Sequence, residues 1–320
     1  MRMLRLGARR PTDDDDVSIV FTQQKKPLSD AEIALLSDEP STNAEQSSLV
    51  MLSGEDDNSM PDQRYVSLRC APDDGGVIAN LVWTGGITLA RVLQAHFGAN
   101  GMRHWRCVEL GSGTGVVGIA AAILGAHVLL TDLKVALPYL RLNLATNLRP
   151  NELKNCAPLE YAWGEPPDAL RAHALLGGHA PDAIFCGDLL YFTHLVQPLC
   201  SSLIALAGQR TIVLCLAVLR PGTAISSHYE FFATLARGGF TLRRMQLDQR
   251  DRYLVLASRE PCFVHQRRPN ALMRRQLWTG PRGRQQRQRR HLLQAPNVTS
   301  FDVDEFMDML GPGPTYQVLQ

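Results

Sequence analysis

Three glycines at alternate positions, Gly111, Gly113 and Gly115, follow an apolar run and precede a stretch of small residues. Glycine adopts left-handed backbone conformations and has no Cβ, so a ligand can lie directly against such a turn. The first turn of the helix predicted after it presents free backbone N–H groups. The turn, which also contains Ser112 and Thr114, is therefore predicted to bind a cofactor.

Two acidic residues accompany this turn. Asp132 ends the next apolar run, where a carboxylate can accept hydrogen bonds from both hydroxyls of a cofactor ribose. Glu109 stands two residues before Gly111. An acid at that place is unfavourable beside a pyrophosphate but acceptable beside a sulfonium cofactor with an amino-acid tail. Residues 113–118 also fit the dinucleotide pattern GxGxxG, so a nicotinamide-dependent dehydrogenase is the weaker alternative.

These residues must be positioned by a regular framework, which the hydropathy pattern of residues 77–260 indicates. Apolar, strand-like runs alternate there with helix-like stretches, which predicts parallel strands with helices on both faces of the sheet. The last two runs are joined by a short polar link and predict an antiparallel hairpin at the sheet edge. The predicted strands cover 107–110, 127–132, 159–163, 183–191, 211–218, 240–247 and 253–258, and the predicted helices cover 114–124, 133–147, 194–207 and 226–237. A further short strand is predicted at 65–70, within the N-terminal region.

The order of these elements predicts the fold class. Five alternating strand–helix units followed by a hairpin is the order of the S-adenosylmethionine methyltransferases rather than that of the dinucleotide dehydrogenases. We therefore expect an α/β, Rossmann-like class I methyltransferase domain over 77–260. Its sheet should have seven mostly parallel strands with an antiparallel C-terminal hairpin strand.

A set of short motifs resembles a known family. The chain contains, in order, VWTGG (82–86), VELGSGTG (108–115), TDL (131–133), WG (163–164) and DLLY (188–191). This combination resembles the seven-β-strand protein lysine methyltransferases, the group that modifies chaperones, elongation factor 2, calmodulin and valosin-containing protein. One departure is visible: the family often shows a polar residue with alanines after the first tryptophan, whereas this chain has Thr-Gly-Gly at 84–86.

The resemblance implies which residues bind S-adenosylmethionine. Glu109 and the glycine turn 111–115 would hold the methionine end of the cofactor, and Asp132 would hold its ribose. Trp163 would lie by the adenine, and Trp83 would line the cofactor entrance. Each tryptophan has a plainer interpretation as an aromatic residue of the core.

The resemblance also implies the catalytic residues. Asp188 and Tyr191 match the Asp-x-x-Tyr motif of the family at the end of the fourth strand, where they would face the methyl group, and Asp188 would also border the cofactor. A plainer interpretation makes Asp188 a helix N-cap. The motif favours lysine as the methyl acceptor, while histidine, arginine, a protein N-terminus, a small molecule and a non-catalytic cofactor-binding scaffold stay open. The implied partner is a protein substrate such as a chaperone, an AAA ATPase or a translation factor.

The charge is distributed unevenly although the total, 33 basic and 31 acidic side chains, is nearly neutral. Residues 1–76 hold 15 acidic and 8 basic side chains and predict an acidic, largely disordered N-terminal region. Residues 261–301 hold nine arginines and no acid. This predicts an Arg/Gln-rich tail over 261–320 with a short acidic amphipathic end, in which 267–290 either contacts nucleic acid or an acidic partner or is simply solvated.

Composition limits the remaining classes. The apolar fraction of 45% excludes a wholly disordered chain, and no apolar run approaches the ~18 residues of a membrane span. Seven scattered cysteines without a CxxC pair predict buried thiols in a reducing compartment and no metal site. We expect a monomer in the cytoplasm, and in the nucleus if the basic stretch mediates import. Four arginines in residues 1–12 leave a mitochondrial presequence as the less favoured alternative.

Overall fold

The computed structural model describes residues 18–22, 63–70, 77–98, 100–219, 225–245, 247, 252–259 and 298–300. The chain divides into two compact units, of which the first ends at Ala162 and the second begins at Trp163. Each unit is an α/β structure in which a buried sheet is combined with helices. No helix of the described ranges is long and apolar enough to span a bilayer.

The first unit holds three parallel strands in the order β3–β4–β5. They are β3 Arg106–Leu110, β4 His127–Asp132 and β5 Cys156–Glu160. The helices are α1 Thr84–Phe97, α2 Val116–Ile123, α3 Leu137–Asn147 and α4 Pro150–Leu153, with short 3₁₀ turns at Ile78–Asn80 and Lys134–Ala136. A separate parallel pair is formed by β1 Ser18–Thr22 and β2 Gln63–Ser67.

Helix α2 is buried on every side, because all eight of its residues are apolar or glycine and none is exposed. A helix that is apolar all round belongs in the core of a domain. The loop before it is thereby fixed at one end to an immobile element, which is what a cofactor-binding turn requires.

The second unit holds five strands in the order β10–β8–β9–β7–β6. They are β6 Ala183–Gly187, β7 Ile212–Val218, β8 Thr241–Met245, β9 Arg252–Ser258 and β10 Val298–Ser300. Strands β6 and β7 are parallel, and β9 lies antiparallel between β7 and β8. The helices are α5 Asp168–Ala172, α6 Val196–Leu206 and α7 Ile225–Arg237, with a 3₁₀ turn at Thr193–Leu195.

The predicted fold class is confirmed: β3 to β9 are the seven predicted strands, mostly parallel, with β9 antiparallel to its neighbours, and β10 is an additional strand. Three details of the prediction are wrong. The third sheet strand covers Cys156–Glu160 instead of 159–163, because its partner β4 ends at Asp132 opposite Glu160. The fourth ends at Gly187, well before 191. The predicted hairpin is not the outermost element, because β10 pairs antiparallel with β8.

Helix α1 was not predicted, since its first turn contains two glycines, which disfavour helix. The structure gives a packing reason for one of them. A Cβ on Gly86 would lie 2.7 Å from Cγ1 of Val116, so glycine allows α1 to approach α2 closely. The Thr-Gly-Gly departure from the family pattern is therefore explained in part by helix–helix contact.

Candidate active site

The glycine turn between β3 and α2 has the conformation that its sequence predicts. Gly111, Gly113 and Gly115 have φ values of 61°, 52° and 86°, all in the left-handed region. At Gly113 a Cβ would also lie 2.8 Å from the carbonyl oxygen of Ala79. Two constraints thus select glycine there, the backbone angle and the close approach of the turn Ile78–Asn80.

Asp132 holds this turn against the end of β4. Its Oδ2 accepts a hydrogen bond of 2.7 Å from the Gly113 amide, and its Oδ1 accepts one of 2.7 Å from the Leu133 amide. Burial raises the pKa of the carboxyl group, and these two hydrogen bonds oppose the rise. A carboxylate can accept about four hydrogen bonds, so both oxygens keep capacity for the hydroxyls of a ribose.

Glu109 lies beneath the turn and points into the first turn of α2. Its side chain is 2% exposed, and its Oε2 accepts a hydrogen bond of 2.9 Å from the Gly118 amide. Burial raises the pKa of Glu109 to about 8, although hydrogen bonds from Gly118 and Ser112 act in the opposite direction. The structure thus gives Glu109 a contact within the protein, and its contact with the methionine end of a cofactor stays a prediction.

Backbone and hydroxyl groups join the turn to β4 at two further points. The Ser112 amide donates a hydrogen bond of 2.9 Å to the carbonyl of Thr131. The buried Thr131 hydroxyl donates one of 2.8 Å to the carbonyl of Glu109. Thr114 is buried as well. The predicted turn residues of the first unit are therefore brought together in one hydrogen-bonded group.

Trp83 is anchored beside this group and is not a core residue. It is 37% exposed, and its indole Nε1 donates a hydrogen bond of 2.9 Å to the carbonyl of Ile78. That bond ties the start of α1 to the turn whose Ala79 carbonyl lies against Gly113. The side chain is therefore held beside the glycine turn and partly open to solvent, and its role at a cofactor entrance stays a prediction.

The residues of the first unit fit a nucleoside with a sulfonium-bearing amino-acid tail. Asp132 keeps acceptor capacity for ribose hydroxyls beside the turn, and the buried Glu109 carboxyl group lies beneath the turn, bonded to the Gly118 amide. The glycine turn exposes backbone without Cβ atoms. S-adenosylmethionine would accordingly be held by Glu109, the turn 111–115 and Asp132, with Trp83 beside them.

In the second unit, Asp188 directly follows β6 and has an unusual backbone. Its φ is 73°, a left-handed value that Asp and Asn tolerate better than other non-glycine residues. Its amide donates a hydrogen bond of 2.7 Å to the carbonyl of Leu216 on β7, and the residue is buried. Asp188 is not a helix N-cap, because the following 3₁₀ turn is capped at Phe192 and α6 at Leu195. Strained residues of this kind cluster at functional sites.

Tyr191 lies in a short aromatic array. Its ring contacts that of Phe192 edge-on with centroids 5.0 Å apart, and the exposed Phe192 stacks on His194 with centroids 5.6 Å apart. The hydroxyls of Thr193 and Ser227 lie 2.8 Å apart, which fixes the 3₁₀ turn to α7. Tyr191 is half-buried, and its place beside the methyl group stays a prediction.

Trp163 is half-buried at the start of the second unit. Its neighbour Gly164 has a φ of 93° and donates a hydrogen bond of 2.8 Å from its amide to Oγ of Ser202. The Trp-Gly pair is thus fastened to α6 through the glycine. A contact between Trp163 and adenine stays a prediction.

Sequence reasoning missed Asn143, which is fully buried on α3 and donates a hydrogen bond of 2.9 Å to the carbonyl of Thr114 in the glycine turn. A signal was present: Asn143 and Asn147 are four residues apart in the Leu-rich stretch LRLNLATN, so both lie on one helix face.

Thiols and metal ligands add nothing to this site. Six cysteines in the described ranges are free thiols, and burial raises the pKa of Cys156 and of Cys200 to about 12. Among the described residues, no group of His, Cys, Asp or Glu side chains could hold a metal ion. His194, the histidine nearest in sequence to Tyr191, is exposed.

Comparisons with known proteins show which family the chain resembles. A family model described as lysine methyltransferase matches residues 63–237. Protein N-lysine methyltransferase METTL21A of Mus musculus is 31% identical over 174 residues, which are 53% of this chain and 72% of that protein. METTL21A of Danio rerio is 32% identical over 181 residues, 56% of this chain and 77% of that protein. Among solved structures, the match to ribosomal protein L11 methylase of Lactobacillus delbrueckii subsp. bulgaricus has a TM-score of 0.43 at 18% identity and covers 65% of this chain and 91% of that chain.

With a family match over more than half its length, the chain belongs to the lysine methyltransferase family.

Proposed function

We propose that this protein is an S-adenosylmethionine-dependent protein-lysine N-methyltransferase that acts on a non-histone protein. The observation that carries the proposal is the glycine turn clamped by Asp132 within the segment that matches the lysine methyltransferase model. The names of the METTL21A relatives support lysine as the acceptor.

S-adenosylmethionine supplies an electrophilic methyl group on a sulfonium, with a neutral and good leaving group. The protein therefore has mainly to hold the donor and to orient the acceptor. In the first unit, Asp132, Glu109 and the glycine turn bind and orient the donor. These residues are held by backbone hydrogen bonds, so little reorganisation is required when the donor binds.

The acceptor amine must present a lone pair. A lysine with its ordinary pKa is protonated at neutral pH, and its deprotonation costs about 4.6 kcal/mol at pH 7. Removal from water lowers that cost, since burial disfavours the ammonium form. We assign the orientation of the amine to the carboxylate of Asp188, as acceptor of its N–H groups, and one wall of the slot to Tyr191. An aromatic wall also stabilises the methylated, cationic product.

The substrate, the cellular location and the flanking segments are further parts of the proposal. By family likeness we propose a chaperone, an AAA ATPase or a translation factor as the substrate of a monomeric enzyme. The free thiols of the described cysteines support a reducing compartment, the cytoplasm with the nucleus. The contact of 267–290 with nucleic acid or an acidic partner lies outside the described residues and is carried only by the arginines of that stretch.

The experiment that tests the proposal uses the full chain and S-adenosylmethionine labelled on the methyl group. Incubation with a cell extract should label a discrete protein band, and digestion should yield methyl-lysine. Labelled nicotinamide cofactor, offered separately, should not be retained. A label recovered only on histidine, on arginine or on a small molecule would contradict the lysine assignment.

A further inference from the structure

Two asparagines of α3, Asn143 and Asn147, bind the chain that contains β2 in the same way. Asn143 accepts a hydrogen bond of 2.7 Å from the amide of Arg69 at Oδ1 and donates one of 3.0 Å from Nδ2 to the carbonyl of Arg69. Asn147 makes the matching pair with Ser67, with both distances 2.7 Å. The two asparagines on one face of α3 thus bind the backbone of Ser67 and Arg69, which are alternate residues of one segment.

The two asparagines differ in their third hydrogen bond. Nδ2 of Asn147 donates a bond of 2.8 Å to the carbonyl of Asn143, within α3 itself. Nδ2 of Asn143 instead donates a bond of 2.9 Å to the carbonyl of Thr114. That carbonyl lies between Gly113 and Gly115, two of the three left-handed glycines of the turn. The side chain of Asn143 therefore joins the N-terminal segment and the glycine turn through a single amide group.

The orientation of the Asn143 amide follows from its partners. Its oxygen faces one N–H donor, and its NH₂ faces two carbonyl acceptors. The flipped amide would place NH₂ against an N–H group and oxygen against two carbonyls. The side chain is 0% exposed, so no water can replace a lost partner. All three hydrogen bonds lie in a low-dielectric interior, where the loss of one costs more free energy than at the surface.

We propose that Asn143 is a positioning residue that couples the docking of residues 67–69 to the binding of S-adenosylmethionine. The inference rests on the proposed function, because it takes the glycine turn as the cofactor turn. Three glycines make this turn permissive in its backbone conformation, and the bond from Asn143 to Thr114 is one of the contacts that select the observed shape. Coupling of this kind is reciprocal, so the cofactor should in turn stabilise the contact with Arg69.

The test compares Asn143→Ala with Asn147→Ala in the full chain. Both variants lose the paired hydrogen bonds to the N-terminal segment, and only Asn143→Ala also loses the bond to the turn. We expect similar losses of thermal stability. The Kd of S-adenosylmethionine, measured by calorimetry, should rise about tenfold more in Asn143→Ala, the fold-change that corresponds to about 1.4 kcal/mol. Equal Kd values in the two folded variants would overturn the inference.

A second measurement uses the wild type and covers the case in which Asn143→Ala does not fold. Hydrogen exchange of the Arg69 amide, which Asn143 binds, is compared with that of the Ser67 amide, which Asn147 binds. Saturating S-adenosylmethionine should slow exchange at Arg69 several-fold more than at Ser67. An equal effect on both amides, or none, would overturn the inference.

The two failures are distinguishable. If the wild type does not bind S-adenosylmethionine, the proposed function fails and the inference fails with it. If the wild type binds it, and neither the matched variants nor the matched amides differ, the coupling through Asn143 fails alone.

Discussion

Glu109 and Gly118 are joined by a hydrogen bond of 2.9 Å from the Gly118 amide to Oε2 of the buried carboxyl group. The bond fixes the end of β3 to the first turn of α2, so the glycine turn between them has both ends held. A Cβ at Gly118 would clash with Cδ2 of Leu130 and lie 2.7 Å from that oxygen, so close packing on two sides favours glycine there. The same burial raises the pKa of Glu109 from 4.5 to about 8.

Replacement of Glu109 by glutamine should change how stability depends on pH. Between pH 4.5 and about 8 the folded protein retains a proton on Glu109 that the unfolded chain has lost. The free energy of unfolding of the wild type therefore decreases as pH rises through this window. Glutamine keeps an acceptor for Gly118 but does not titrate. Chemical denaturation across the window should show Glu109→Gln gaining stability relative to the wild type as pH rises, and a pH-independent difference would refute the assignment.

Asp132→Asn should loosen the glycine turn and weaken cofactor binding. The two carboxylate oxygens each accept a backbone N–H, and in asparagine one of them becomes an NH₂ group that faces an N–H donor. We expect a loss of about 1–3 kcal/mol in the binding free energy of S-adenosylmethionine, as for a broken charged hydrogen bond. Calorimetric titration measures it; wild-type affinity in the variant would remove Asp132 from the cofactor site.

Gly113→Ala should lower the free energy of unfolding by more than the strain of placing alanine at a left-handed φ. Gly178 is the matched control, since its φ of 78° is also left-handed but a Cβ there has no atom within 4 Å. At Gly113 the Cβ would meet the carbonyl oxygen of Ala79. Overpacking adds about 1–3 kcal/mol, so Gly113→Ala should lose that much more free energy of unfolding than Gly178→Ala. Equal losses of unfolding free energy in the two variants, measured by denaturant titration, would contradict this, because the turn Ile78–Asn80 would then move aside at no cost in free energy.

Strands that coincide with a clearly bounded apolar run could be predicted from the sequence. Strand β4 spans 127–132 as predicted, because its apolar run ends at a charged residue. The end of β5 could not be predicted, since it depends on where its neighbour β4 stops pairing. Helix α1 could not be predicted because of the two glycines in its first turn, and the reason for one of them, Gly86, is a tertiary contact with α2.

The motifs predict the residues of the candidate site, and the structure adds their contacts. Glu109 is the penultimate residue of β3, Asp132 ends β4, and Asp188 directly follows β6. No spacing rule indicates that Glu109 binds Gly118 or that Asp188 has a left-handed backbone, because both depend on packing around them. The role of Asn143 depends on two segments, 67–69 and 113–115, that are distant from it in sequence.

The central claim, that the carboxylate of Asp188 orients the acceptor amine, is tested most directly by Asp188→Asn. Alanine is a poor choice, because a φ of 73° adds backbone strain for alanine that asparagine avoids. Asp188→Gly is the second test variant, because it also removes the carboxylate and tolerates the left-handed backbone. Methyl transfer from labelled S-adenosylmethionine to extract protein is measured beside calorimetric binding of the cofactor. Both variants should fold and bind the cofactor nearly as the wild type does but transfer methyl groups at least about 100-fold more slowly. Transfer at the wild-type rate by Asp188→Asn would contradict the account.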